Sequence, residues 1–142
     1  MADVGIVMPV YRQRPQYLEK ALQTILEQSY RHFILVIVLD GSSQLEVDIV
    51  TAAAQRDPRI RIIQWAENRG LVNALNAGFQ RCKTIPSLRY FTWVSSDNLH
   101  HPAFIETLHQ LLENSPFHVG LAYAHYRLID EHDNWIWSPE QE

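Results

Sequence analysis

A three-layer α/β/α domain built on a mostly parallel sheet is the fold class this sequence predicts, and three observations carry the prediction. Short apolar runs alternate with four stretches of helical periodicity. One of those runs, Phe33 to Leu39, is apolar throughout and rich in β-branched residues, as expected of a central strand buried on both faces. Turn-forming residues follow the strand-like runs, as at Asp40-Gly41-Ser42-Ser43 and Ser95-Ser96-Asp97-Asn98.

Taken in order, Gly5-Ile6-Val7-Met8 reads as a first buried strand closed by Pro9, which cannot donate to a ladder. Leu18, Ala21, Leu22, Ile25 and Leu26 then share one helical face, with Pro15 suited to the first turn. After the central strand, Ser43 and Glu46 have the spacing of a capping box, and Ile49, Val50, Ala53 and Ala54 continue that helix until Asp57-Pro58 stops it. Ile60, Ile62, Ile63 and Trp65 suggest a third strand. Asn68-Arg69-Gly70 makes the next turn, and Leu71, Ala74, Leu75, Gly78, Phe79 and Cys82 form a helical stripe in which Gly78 implies close packing of helix on sheet.

Tyr90 to Val94 is the fourth strand of the alternating pattern. Pro102 opens a helix whose inner face is expected at Phe104 or Ile105, Leu108, Leu111 and Leu112. Beyond it the periodicity changes: Leu121 to Ile129 reads as a strand, Asp130 to Asn134 as a turn, and Trp135-Ile136-Trp137 as a returning strand. Residues 1–137 are read as one domain and 138–142 as a loose polar tail.

The bulk properties exclude several functions. At 142 residues, 46% hydrophobic and 20% charged, the chain is long enough for one domain with a real core. Net charge is −4 without a lysine or arginine cluster, which argues against nucleic acid as a partner. Cys82 is the only cysteine, so neither an internal disulfide nor a cysteine-based zinc site can form within one chain. His100 and His101 are adjacent, and adjacent residues rarely point at one ion. No apolar run is long enough to span a bilayer and no signal-peptide pattern opens the chain, so a cytoplasmic location is expected.

In a parallel sheet all strands end on one edge, so the loops that follow them converge. Three loops meet there: Pro9-Val10-Tyr11-Arg12, Asp40-Gly41-Ser42, and Ser95 to Asn98. Each residue has a blander reading alone, with Asp40 or Asp97 as a cap, Tyr11 as a packing aromatic and Arg12 as a solvated charge. Together they suit a nucleoside diphosphate. A ring can stack on a base, a carboxylate can accept from a base N–H or ribose hydroxyl, and a second carboxylate can hold Mg²⁺ or Mn²⁺, which take oxygen ligands and keep several from water and phosphate.

These residues resemble the N-terminal part of an inverting family 2 glycosyltransferase of the GT-A, Rossmann-like fold. Gly5 to Tyr11 is similar to that family's opening strand and Pro-x-Tyr turn, and Ile37 to Ser43 to its second strand ending in Asp-Gly-Ser. Asn68-Arg69-Gly70 with Ala74, Asn76 and Gly78 is similar to its Asn-x-Gly helix, and Ser96-Asp97-Asn98 with Pro102 to its metal-motif loop. Tyr123 with Ile129-Asp130-Glu131 resembles the segment that follows. The resemblance implies that Pro9, Tyr11 and Asp40 line the pocket for uracil or another base, with Val10, Asn68 and Ser96 nearby. It implies that Arg12 and Arg69 lie near the donor and that Asp97 holds the divalent cation.

Two departures accompany it. Serine stands where a second acidic residue is usual, at Ser95 or Ser96 depending on how the motif is registered, and the family's catalytic base and acceptor site lie beyond the matched segment. The expected function is therefore transfer of a sugar from a nucleoside-diphosphate donor, most simply a UDP-sugar, to an acceptor glycan or other hydroxyl compound. The alternative is a non-catalytic nucleotide-sugar-binding or interaction module. Trp135 and Trp137 are a candidate contact for a further segment or partner. A dinucleotide-binding oxidoreductase is disfavoured, because no Gly-x-Gly-x-x-Gly turn follows the first strand.

Overall fold

The computed structural model describes residues 1–137, in the order β1 (Val4–Val10), α1 (Pro15–Leu26), β2 (Phe33–Asp40), α2 (Gln44–Arg56), β3 (Ile60–Trp65), α3 (Leu71–Lys83), β4 (Tyr90–Trp93), α4 (Phe104–Glu113), β5 (Leu128–Ile129) and β6 (Trp135–Trp137). The tail at 138–142 lies outside the described residues. Residues 1–105 form one compact unit and residues from Glu106 onward a second, although the sequence marks no boundary between them.

In the first unit β1 to β4 make a fully parallel sheet in the order β3-β2-β1-β4. β1 is central, between β2 and β4. Side chains alternate across the sheet, so Ile6, Met8, Leu35, Ile37 and Leu39 pack under α1 and α2, while Val7, Val36 and Val38 pack under α3. This is the predicted three-layer α/β/α arrangement.

The signals read for α1 and α2 hold in detail, whereas α4 begins at Phe104, two residues after Pro102. Pro15 opens α1, which buries Leu18, Ala21, Leu22 and Ile25. Ser43 and Glu46 form the capping box of α2. At Gly78 the fit of α3 to β1 is so close that an added Cβ would collide with the Val7 side chain.

Four further expectations need correction. β1 does not stop before Pro9 but runs through it, with Pro9 in register with Val38. The ladder explains this. Asp3 and Val7 turn their carbonyls toward β4, accepting from Tyr90 N and Val94 N, so Pro9 faces that same side, and β4 pairs no further than Val7 with Trp93. A missing N–H is harmless there.

Leu71, expected in the inner stripe of α3, is 53% exposed, because it is the first residue of the helix and overhangs the sheet edge. Leu111, expected on the inner face of α4, is exposed, and Ile105 is the buried residue of that helix.

In the second unit, the strand expected from Leu121 is confined to Leu128–Ile129, paired antiparallel with β6. The turn between them is built by Asp130, whose carboxylate accepts from His132 N, Asn134 N and Asn134 Nδ2. Among the described residues the pairing runs from Ile129 with Trp135 to Leu128 with Trp137, and residues 121–127 carry no strand. Trp135 and Trp137 lie on β6. The Arg127 guanidinium stacks 3.7 Å from the centre of the Trp135 ring.

Candidate functional site

In an order of β3-β2-β1-β4 the chain leaves β1 toward one side and returns on the other, which makes the carboxyl ends of β1 and β4 the switch point of the sheet. A cleft of about 290 Å³ opens there. Pro9, Val10, Tyr11 and Gln13 enter it from the end of β1 and the loop after it; Asp40, Asn68 and Leu71 from β2 and the start of α3; Trp93, Ser95 and Ser96 from the end of β4.

Six of the nine sequence-predicted site residues therefore share this cleft: Pro9, Val10, Tyr11, Asp40, Asn68 and Ser96. Arg12, Arg69 and Asp97 stand outside its lining. Arg12 takes a left-handed backbone conformation, φ 50°, with its guanidinium 5.1 Å from the centre of the Tyr11 ring. The Arg69 guanidinium lies 4.6 Å from the centre of the Trp65 ring, at the end of β3. Asp97 follows directly on Ser96 and is exposed.

Asp40 is only 2% exposed, and its carboxylate is heavily engaged. Oδ1 accepts from Arg69 N at 2.6 Å, and Oδ2 from Asn68 Nδ2 at 2.9 Å and Gly70 N at 3.0 Å. The two backbone donors precede α3, Gly70 N at its N-cap and Arg69 N one residue earlier, so Asp40 anchors the turn that leads into the helix. It does not cap α2, where Ser43 does so. Gly41 makes the approach possible: its φ is +69°, and an added Cβ would stand 2.5 Å from Asn68 N.

Glu46, also buried, is the second engaged carboxylate. Beyond its capping bonds with Ser43 it accepts from Gln13 N at 2.6 Å, which ties the loop after β1 to the start of α2. Gln13 then reaches across the sheet edge, donating from Nε2 to Ser96 Oγ at 3.1 Å.

The loop after β4 is held from behind by α1 and the turn following it. Gln28, wholly buried, accepts from Ile105 N and donates to the carbonyls of Thr24 and His101. Pro102 O accepts from Ser29 N, and Thr24 Oγ1 accepts from His100 N. The His100 ring packs 5.0 Å from that of Phe104, and burial holds its pKa below the ordinary 6.5. His101 Nδ1 accepts from Ala103 N.

Among the described residues no three His, Cys, Asp or Glu side chains come together as a metal site. The oxygen donors near the cleft nonetheless fit a cation shared with a bound diphosphate. Asp97 is exposed and accepts Ser95 Oγ on Oδ1 at 2.7 Å, leaving Oδ2 for an oxygen-seeking ion whose other ligands are phosphate and water.

Sequence reasoning placed Ser95 in a converging loop but missed Gln13, Leu71 and Trp93 as lining residues. Trp93 carried a usable signal, as the last residue of a strand ending at the converging edge. Leu71 was hidden by its place in an apolar stripe.

The model of glycosyl transferase family 2 matches residues 5–140. An uncharacterized glycosyltransferase of Rickettsia prowazekii is 30% identical over 140 residues, covering 97% of this chain and 41% of the relative. Glycosyltransferase GlyA of Streptococcus pneumoniae is 29% identical over 134 residues, covering 94% of this chain and 18% of GlyA. The chain thus spans well under half the length of these relatives.

In fold it resembles the mannosyltransferase PcManGT of Pyrobaculum calidifontis, solved with GDP-Man and Mn²⁺, at TM-score 0.65 and 20% identity over 78% of this chain and 32% of that one. Staphylococcus aureus TarS gives the same TM-score and the same coverage at 16% identity. The parallel sheet, the cleft at its switch point and the family match over nearly the whole sequence lead to one conclusion: the chain belongs to glycosyl transferase family 2.

Proposed function

We propose that this chain is the donor-binding part of a hexosyltransferase, taking a nucleoside-diphosphate sugar, most simply a UDP-sugar, for transfer to an acceptor hydroxyl. The observation that carries the reading is the cleft between the ends of β1 and β4, with an aromatic ring, amide and hydroxyl groups on its walls. Tyr11 and Pro9 offer the base a flat apolar surface, and Asn68 and Ser96 offer polar groups to the base, ribose or phosphates. Asp40 acts on the base side by holding the Asn68-Arg69-Gly70 turn in place. Arg12 and Arg69 supply positive charge outside the cleft lining.

Asp97, oriented by Ser95, would hold Mn²⁺ or Mg²⁺ together with the diphosphate oxygens. Such a cation, when bound, neutralises charge on the leaving diphosphate as a Lewis acid. The base that deprotonates the acceptor is assigned to no residue of this chain.

Titration calorimetry of the chain with UDP tests the reading. UDP binds, and both EDTA and Asp97→Ala weaken it by about tenfold or more, the equivalent of roughly 1.4 kcal/mol. Failure to bind any nucleoside diphosphate refutes it. Binding indifferent to Mn²⁺ and to Asp97→Ala removes the metal and favours a non-catalytic binding module.

A further inference from the structure

The loops after β1 and β4 are joined by one side-chain bridge whose direction can be fixed. Gln13 Oε1 accepts from Arg14 N at 3.0 Å, and a backbone N–H can only donate. The oxygen of the Gln13 amide is therefore at that end, and the end facing Ser96 is the NH₂ group, which can only donate. Ser96 Oγ must accept this bond, at 3.1 Å. Its own proton is then left to point elsewhere.

Ser96 is 5% exposed and lines the cleft. Among the described residues its hydroxyl makes no hydrogen bond besides the one from Gln13. Gln13 is itself held, its backbone N–H bonded to the buried Glu46 carboxylate. A continuous chain from Ser43 through Glu46 and Gln13 thus ends on a serine hydroxyl that accepts one bond from Gln13 and keeps its proton free to donate, beside the position where the related motif offers a carboxylate.

We infer that Gln13 is a positioning residue that fixes Ser96 as a hydrogen-bond donor to an anionic oxygen of the ligand, its diphosphate. The cleft thereby gains a phosphate contact that needs no metal, beside whatever cation Asp97 holds. This rests on the nucleoside-diphosphate reading above. It goes beyond that reading by giving Ser96 a direction and Gln13 a role.

Gln13→Glu separates this from a merely structural bridge. A glutamate keeps the link between the loops but accepts from Ser96, turning the hydroxyl proton away from the cleft. Calorimetry with UDP in EDTA and in Mn²⁺, on the wild type, Ser96→Ala, Gln13→Glu and the double variant, supplies the test, and uridine binding verifies that each variant keeps its cleft.

A hydrogen bond to a charged group is worth roughly tenfold to a hundredfold in affinity. Ser96→Ala and Gln13→Glu should each lose about that much for UDP in both media, and the Gln13→Glu loss should shrink markedly when Ser96 is already alanine. Uridine, lacking phosphate, should bind all four alike. Gln13→Glu binding UDP like the wild type, or losing equally in both backgrounds, overturns the inference while leaving the nucleotide reading intact. A wild type that binds no UDP overturns both.

Discussion

Asp40→Ala distinguishes two roles for the buried carboxylate that lines the cleft. As a base ligand, Asp40 would matter to affinity and little to folding. Its geometry argues for folding first, since the carboxylate accepts from Arg69 N, Gly70 N and Asn68 Nδ2 at 2.6–3.0 Å and is 2% exposed. Hydrogen bonds to a charged group contribute about 1.5–3 kcal/mol each when no water replaces them. Asn68 and Arg69 are exposed and recover water once released, so the bonds are not lost in full. The net cost of Asp40→Ala should be about 2–4 kcal/mol. Urea unfolding followed by circular dichroism reads that cost as a lower midpoint at unchanged slope. Hydrogen exchange should quicken locally from Asn68 through the first turn of α3. If Asp40→Ala unfolds within about 0.5 kcal/mol of the wild type, the range of an ordinary surface substitution, and yet loses nucleotide binding, the anchoring argument is wrong.

Gly78→Ala should destabilise by about 1–3 kcal/mol in the same urea assay, although alanine is the better helix former by about 1 kcal/mol, because the new methyl meets the Val7 side chain on β1. Acid sensitivity should come in two steps, read by thermal unfolding across pH. His100 has a folded pKa below its ordinary 6.5 through burial, so its contribution is complete above 6.5 and is lost as pH falls from there toward the lower folded value; His100→Phe should flatten the stability profile between pH 7.5 and 5.5. Asp57 is held below its ordinary 3.8, first by its hydrogen bond with Arg59, so the second loss begins only as pH falls below about that value, and Asp57→Asn should reduce it, leaving the share of Asp130, whose carboxylate is held low by its bonds from Asn134 and His132.

What could be read in the sequence was local. Strand cores, the capping box at Ser43 and Glu46, the close approach at Gly78 and the convergence of loops at the sheet edge follow from period, turn chemistry and the geometry of a parallel sheet. Pro9 misled because a proline ends a strand only where its N–H is needed, and that depends on which neighbour the ladder presents. Residues 121–127 have the composition of a strand, but a strand exists by pairing, and composition names no partner. The commitments of side chains were the least legible. Asp40 serves donors 28 to 30 positions away and Gln13 an acceptor 83 positions away, connections that depend on the left-handed turn at Gly41 and on the order of strands.

Those long-range commitments bear on why a single free carboxylate suits this cleft. A diphosphate brings its own negative charge, and each unscreened carboxylate beside it would repel the ligand in a site partly shielded from water. Asp40 and Glu46, the buried acids nearest the cleft, are both wrapped by N–H donors, which offset their charge locally and leave neither aimed at the ligand with its full strength. Asp97 remains, exposed, where a cation can sit between it and phosphate. On the proposed reading, a hydroxyl that donates in place of a second acid would lower the repulsion further and lessen dependence on a metal, so that the serines beside Asp97 would shift part of the work of holding phosphate from a cation to the protein.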